Sequence, residues 1–395
     1  MTQTAAIIGG GVIGGGWAAR FLLNGWDVAL YDPDPEAERK IGEVLENARR
    51  SLPSLSDVAL PPEGGLRFCA SIADAVVNAD WIQESVPERL QIKQATFVEI
   101  QAHCPPAAVI GSSTSGFKPS ELQEGTPRPE QIMVCHPFNP VYLLPLVEVV
   151  VTQANREPGI DCANEILANI GMHPLVLRKE IDAHVADRFL EAVWREALWL
   201  VKDGIATTEE IDDAIRYGFG LRWAQMGLFE TYRVAGGEAG MKHFMAQFGP
   251  ALKWPWTKLM DVPEFDDSLV DLIAGQSDAQ SGHHSIRELE RIRDTNLVAI
   301  MRALKGQNWG AGALLNAHDA RLRDAVDAAG EKELDPSLPV LTVARDVPLD
   351  WTEYNGHMNE ARYLQAFADA TDRFMEIIGC DADYIAKGGS YFTAE

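Results

Sequence analysis

The sequence predicts an α/β protein: a doubly wound, mostly parallel sheet, then an all-α second domain, then a short α+β unit. Three observations predict it. Residues 4–32 run as a buried strand, a glycine turn, a helix and a second strand that ends in an acid. From 1 to 182, apolar strand-like runs alternate with helical ones, the pattern of a parallel sheet covered on both faces. Beyond 183 the apolar spacing becomes helical, with Gly204 placed as a C′ glycine and Thr207-Thr208-Glu209-Glu210 as a helix cap.

In order, strands are expected at 5–9, 27–31, 66–69, 80–84, 107–112, 131–135, 146–152 and 173–178. Helices are expected at 14–25, 33–50, 89–103 and 157–170 in the first domain, 1–182. The second domain, 183–320, carries helical runs at 184–203, from 208 to 217, and near 226–248, 266–275 and 284–305. A short helix at 316–329 precedes the charged, proline-containing stretch from Gly330 to Pro339, so a linker is expected over 321–339. Residues 340–395 form the third unit, with a strand-like alternation at 341–349 and a helical period at 359–378.

Gly9, Gly11 and Gly14 fill the positions of a G-x-G-x-x-G turn between the first strand and the first helix. The first glycine permits the turn, the second lets backbone approach a pyrophosphate, and the third lets helix and strand pack closely. The helix N-terminus offers free N–H groups to phosphate. Asp32 ends the second strand, where a carboxylate accepts from the adenosine ribose and repels a 2′-phosphate, so NAD is expected rather than NADP. A purely structural glycine turn is the alternative; the strand before, the helix after and the acid favour a Rossmann-type nucleotide site.

With 34 basic and 58 acidic residues the net charge is −24, which argues against nucleic acid as a partner. The five cysteines are scattered and form no C-x-x-C, as in a cytoplasmic protein with reduced thiols. No basic start and apolar core of a signal peptide is read near the N-terminus, and no apolar run is long enough to span a membrane. No metal site is expected. The helical second domain suggests a homodimer.

Two stretches carry chemistry. One is Ile110-Gly-Ser-Ser-Thr-Ser-Gly-Phe117, a strand entering a Ser/Thr turn; the other is His136-Pro-Phe-Asn139-Pro, followed by Leu146-Val-Glu148-Val. Oxidising an alcohol needs a base for the hydroxyl proton, a group that orients the base, and donors that hold the oxygen. His136, Glu148, Ser115 and Asn139 fit these roles. A histidine after a strand is often only structural. A glutamate inside an apolar strand needs a partner, because burying it alone is costly, and His136 is the natural one.

At these residues the chain resembles the 3-hydroxyacyl-CoA dehydrogenase family, over residues 4–305. Glu84-Ser85-Val86-Pro87-Glu88, Ser113-Thr114-Ser115, His136-Pro137-Phe138-Asn139-Pro140 and Val147-Glu148-Val149 match its motifs. The resemblance implies His136 as general base, Glu148 as its orienting group, and Ser115 and Asn139 on the substrate oxygen. Glu88 and Lys93 join the expected NAD-binding set.

The departures bear on substrate. Where the family has Pro-Gly-Phe-x-x-Asn-Arg, this chain ends in Ala183-His184-Val185-Ala186-Asp187-Arg188, and Ser113 replaces an Asn. The stretch from Tyr217 to Glu230 resembles a branch acting on small free hydroxy acids, carnitine and gulonate among them. Asp350-Trp-Thr-Glu-Tyr-Asn-Gly-His357-Met-Asn-Glu-Ala-Arg-Tyr363 resembles the opening of a hotdog-fold acyl-CoA thioesterase. The carnitine-oxidising branch occurs fused to such a unit, so the resemblance implies L-carnitine as substrate. The hotdog segment is expected to be incomplete and inactive alone, leaving His357 and Glu353 to packing. Tyr142, Phe189, Trp194, Trp223 and Phe229 are candidate faces for a trimethylammonium group, with Asp187 as counter-charge and Arg222 for the substrate carboxylate. Aromatics at helical spacing are also ordinary core, and Arg222 is also an ordinary surface residue. Rival functions are hydroxyacyl-CoA or gulonate oxidation, and a crystallin-like NAD-binding structural role.

Overall fold

A computed structural model describes residues 3–235, 240–248, 257–258, 266–329, 339–347, 351–352, 357–380 and 382–389. The first part alternates β1 (Thr4–Ile8), α1 (Val12–Leu22), β2 (Asp27–Tyr31), α2 (Ala37–Ser51), β3 (Leu66–Phe68), α3 (Ile72–Val76), β4 (Trp81–Glu84), α4 (Leu90–His103), β5 (Val109–Ser112), α5 (Pro119–Gln123), β6 (Ile132–Pro137), β7 (Leu146–Val150), α6 (Glu157–Asn169) and β8 (His173–Leu177). All eight expected strands form, within two residues at most ends. They build one sheet in the order β3-β2-β1-β4-β5-β6-β7-β8.

Every neighbouring pair is parallel except β6 and β7. The inner strands are apolar runs buried on both faces, as a covered parallel sheet requires. On one face Trp17, Phe21 and Trp81 pack with ring centroids 5.9–6.2 Å apart. On the other, Phe97 and Ile100 of α4 cover Ile82 and Ile110. Strand order reverses between β1 and β4, which opens a cleft at their C-terminal ends.

The helical part holds α7 (Ala186–Lys202), α8 (Thr208–Ala214), α9 (Gly220–Ala235), α10 (Gly240–Phe248), α11 (Asp267–Ser281), α12 (Ile286–Ala303) and α13 (Ala311–Ala329). The expected cap at Thr207 is present: its hydroxyl accepts from Glu210 N while Glu210 accepts from Thr207 N. Two expectations need correction. The run 226–248 is interrupted at Gly227, whose φ of +68° and ψ of −160° are not helical; residues 236–239 lie outside the described residues. Residues 321–329 of the expected linker belong to α13, whose Leu315 is buried in the sheet domain's core. The rest of that linker, 330–338, lies outside the described residues.

The third part carries α14 (Glu360–Ile377) and α15 (Ala382–Ala386). The expected strand at 341–349 is not formed over its described residues, 341–347. Ala344 O instead accepts from Ala59 N at 2.7 Å. Arg345 reaches Asp57 at 3.3 Å, pairs with Asp369, and lies 4.5 Å from the Trp351 ring. His357 is described and exposed; Glu353 lies outside the described residues.

Candidate active site

The glycine turn is shaped by its own packing. Gly9 has φ +102°, and a Cβ there would stand 2.5 Å from Ser85 O. A Cβ on Gly14 would stand 1.8 Å from Gly9 O, so helix and turn can be this close only with glycine. Gly11 differs: among the described residues nothing lies within 4 Å of where its Cβ would stand. That open space sits at the N-cap of α1, whose first turn holds no acid and no side-chain cap. Free N–H groups beside unfilled space fit a pyrophosphate. Asp32 Oδ2 accepts from Gly10 N at 2.5 Å and Oδ1 from Asp34 N at 2.7 Å. The acid therefore fixes the turn, and each oxygen keeps a lone pair for a ribose hydroxyl.

Lys93 lies below this cleft. It is 1% exposed, and its ammonium meets Glu84 Oε1 at 2.9 Å, Glu88 Oε2 at 3.2 Å and Val86 O at 3.2 Å. These three acceptors match an ammonium's three donors. Lys93 thus braces the two glutamates. Glu88 is half-exposed and accepts from Thr114 Oγ1, and from Gly116 N at 3.1 Å, so it holds the turn that carries Ser115. Burial opposes the charge on Glu88, but those bonds and Lys93 outweigh it and hold its carboxyl below the usual range.

The reversal of β7 builds the second half of the site. Antiparallel pairing sets His136 directly opposite Glu148, a register that puts side chains on the same face within reach. His136 Nδ1 lies 3.1 Å from Glu148 Oε2. Its Nε2 lies 3.2 Å from Ser115 Oγ and 3.7 Å from Asp187 Oδ2. Glu148 is wholly buried. Its Oε1 accepts from Val185 N at 2.9 Å and Ala186 N at 3.0 Å, at the start of α7. Burial opposes its charge, yet His136 and the two amides prevail and hold its carboxyl below the usual range. A carboxylate can only accept, so Nδ1 carries the ring proton and Nε2 faces the hydroxyl of Ser115 as a base.

Comparison with known proteins gives the family. Residues 4–181 match the NAD binding domain of 3-hydroxyacyl-CoA dehydrogenase, and 184–265 match its C-terminal domain. A protein of Ruegeria pomeroyi named L-carnitine dehydrogenase/betainyl-CoA thioesterase is 74% identical over 99% of this chain and 80% of its own length. The chain belongs to the 3-hydroxyacyl-CoA dehydrogenase family. It is an NAD-dependent dehydrogenase by fold, cofactor domain and relatives. A Pseudomonas putida relative named L-carnitine dehydrogenase is 51% identical over 78% of this chain and 96% of its own. Residues 347–395 match the thioesterase-like superfamily. A solved structure of an NAD+-dependent dismutase, 5-formyl-3-hydroxy-2-methylpyridine 4-carboxylic acid 5-dehydrogenase, is 28% identical with TM-score 0.64, covering 78% of this chain and 99% of that one.

Against the family's motifs, the expected residues separate into two groups. His136, Glu148, Ser115 and Asp187 converge. Asn139, three residues after His136, is exposed, and among the described residues no hydrogen bond holds its side chain. Tyr142 is corrected outright. It is buried in the core, and its hydroxyl donates to Asp294 of α12 at 2.7 Å. Phe189 and Trp194 of α7 are exposed, as is Phe229 of α9; Trp223 packs on Phe219 at 4.6 Å, and Arg222 is exposed.

Sequence reasoning missed His184. It is wholly buried, its Nε2 bonds Thr114 O at 3.1 Å, and its ring centre lies 5.4 Å from that of His136. It occupies the family's Phe position within the departing segment, which was the available signal. No helix of the described residues is long and apolar enough to cross a membrane, and those residues hold no cluster suited to a metal.

Proposed function

We propose that the chain oxidises the 3-hydroxyl of L-carnitine to 3-dehydrocarnitine in the cytoplasm. The observation that carries this reading is the His136 constellation with an acid, Asp187, on its open side. A carboxylate there suits a substrate that bears a fixed positive charge, where the family's Asn would be indifferent to it. The names of relatives 51–74% identical support the same substrate.

Gly9, Gly11 and Gly14, with Asp32 at the ribose, would hold NAD, which would supply the acceptor for the hydride of the carbinol carbon. The chain's own residues handle the proton. Ser115 Oγ orients the substrate oxygen beside His136 Nε2. His136 takes the hydroxyl proton there as the carbonyl forms. Glu148, charged and buried, stabilises the resulting imidazolium.

The direct test is NADH formation with L-carnitine, L-gulonate and 3-hydroxybutyryl-CoA in parallel. Turnover is expected with L-carnitine at least tenfold above the others; preference for the thioester or the sugar acid overturns the reading. Asp187→Asn is expected to lower kcat/KM for L-carnitine at least tenfold relative to 3-hydroxybutyrate, which lacks the cation. That ratio is about 1.4 kcal/mol. An unchanged ratio removes Asp187 from recognition. We assign a second copy of the chain to the exposed apolar face of α7, where Phe189, Leu190, Val193 and Trp194 stand open.

A further inference from the structure

Ala183 and His184 have φ of +57° and +50°, left-handed conformations that non-glycine residues adopt only at an energetic cost. Such a turn persists only where its surroundings hold it. Two sets of contacts do so. The amides that follow, Val185 N and Ala186 N, close on Glu148. The His184 ring is driven inward, onto the carbonyl of Thr114.

A carbonyl accepts only, so His184 Nε2 is the donor and carries the proton. Burial holds His184 below the usual imidazole range, which keeps the ring neutral. Its Nδ1 is buried with no hydrogen-bond partner among the described residues. Titratable groups near it are His136, Glu148 and Asp187. Thr114 itself is wholly buried and tied through Oγ1 to Glu88. The next residue, Ser115, presents its hydroxyl to His136. A ring that fixes the Thr114 carbonyl therefore fixes the hydroxyl one residue on.

We propose that His184 is a positioning residue: its Nε2–H clamps the Thr114 carbonyl and so sets Ser115 Oγ against His136 Nε2. The clamp joins both halves of the site, since the same turn starts the helix that holds Glu148. The inference rests on the dehydrogenase reading with His136 as base.

The experiment compares His184→Phe, which keeps an aromatic ring but no donor, with His184→Gln, whose amide can donate from near the same place. His184→Phe is expected to lower kcat about tenfold with KM for NAD unchanged. His184→Gln is expected to restore kcat to within threefold of the parent. Melting temperatures are measured alongside, so that loss of fold is seen separately. The proposal is overturned if His184→Phe keeps parental kcat, if Gln falls as far as Phe while both remain folded, or if KM for NAD rises in step. His136→Gln is assayed beside them. If that variant keeps full turnover, the reading of His136 as base fails, and the clamp with it; if it is inactive while His184→Phe is fully active, only the clamp fails.

Discussion

His136→Ala is expected to lose at least about a hundredfold in turnover while binding NAD within twofold of the parent. The reason is the division of labour in the cleft. The glycine turn, its open space at Gly11 and the ribose acid at Asp32 make no use of the imidazole. The proton step has no other base placed for it: Ser115 must itself donate or accept through Nε2, and Asp187 reaches only to 3.7 Å from that atom. Steady-state rates with calorimetric titration of NAD separate the two effects. Turnover near that of the parent removes His136 as base. The variant also carries a pH signature. Glu148 contributes stability that is present above the normal carboxylate range and lost as pH falls through its depressed folded value. Burial works against that charge, and His136 leads the causes that sustain it. Without the imidazole, acid unfolding is expected to begin at a higher pH, as followed by circular dichroism.

How far this site was legible follows from where each signal is local. The eight strands were readable because buried parallel strands are continuous apolar runs, which turns and helices interrupt. The five-residue helices α3 and α5 were not, because so short a helix has no period to detect; α3 rests on its Ser71 cap. The acid at 148 announced a partner because burial without one is costly. Its antiparallel register, which makes the contact, left no local trace. Tyr142 was misplaced for the same reason: its hydroxyl answers to Asp294, 152 residues away. Lys93 looked like a ligand-binding cation, and only packing shows three acceptors already around it. The strand-like alternation at 341–349 met Asp57 and Ala59 rather than an open sheet edge, and alternation alone forms no strand. Strain at Ala183 is invisible in a sequence, since alanine does not favour positive φ.

Glu148→Gln is expected to cost on the order of 10³-fold in kcat with little loss of fold, more than its single-atom change suggests. The carboxylate now serves two different customers. One oxygen accepts from Val185 N and Ala186 N, and the other accepts from His136 Nδ1. A glutamine can satisfy the amides only by keeping its carbonyl oxygen toward them. Its NH2 group then faces His136, where two donors would meet. The ring resolves the conflict by moving its proton to Nε2, leaving Nδ1 to accept. That tautomer is stable and well packed, but its Nε2 no longer has a lone pair for the substrate's proton. The negative charge that steadied the imidazolium is lost as well. Retained melting temperature with collapsed kcat is the expected pair of results, and nitrogen NMR of labelled histidine would report the tautomer directly. If Glu148→Gln keeps turnover within tenfold, orientation of the base through Nδ1 is not what the buried acid does. A collapse in melting temperature would instead mark the α7 anchor as its main task.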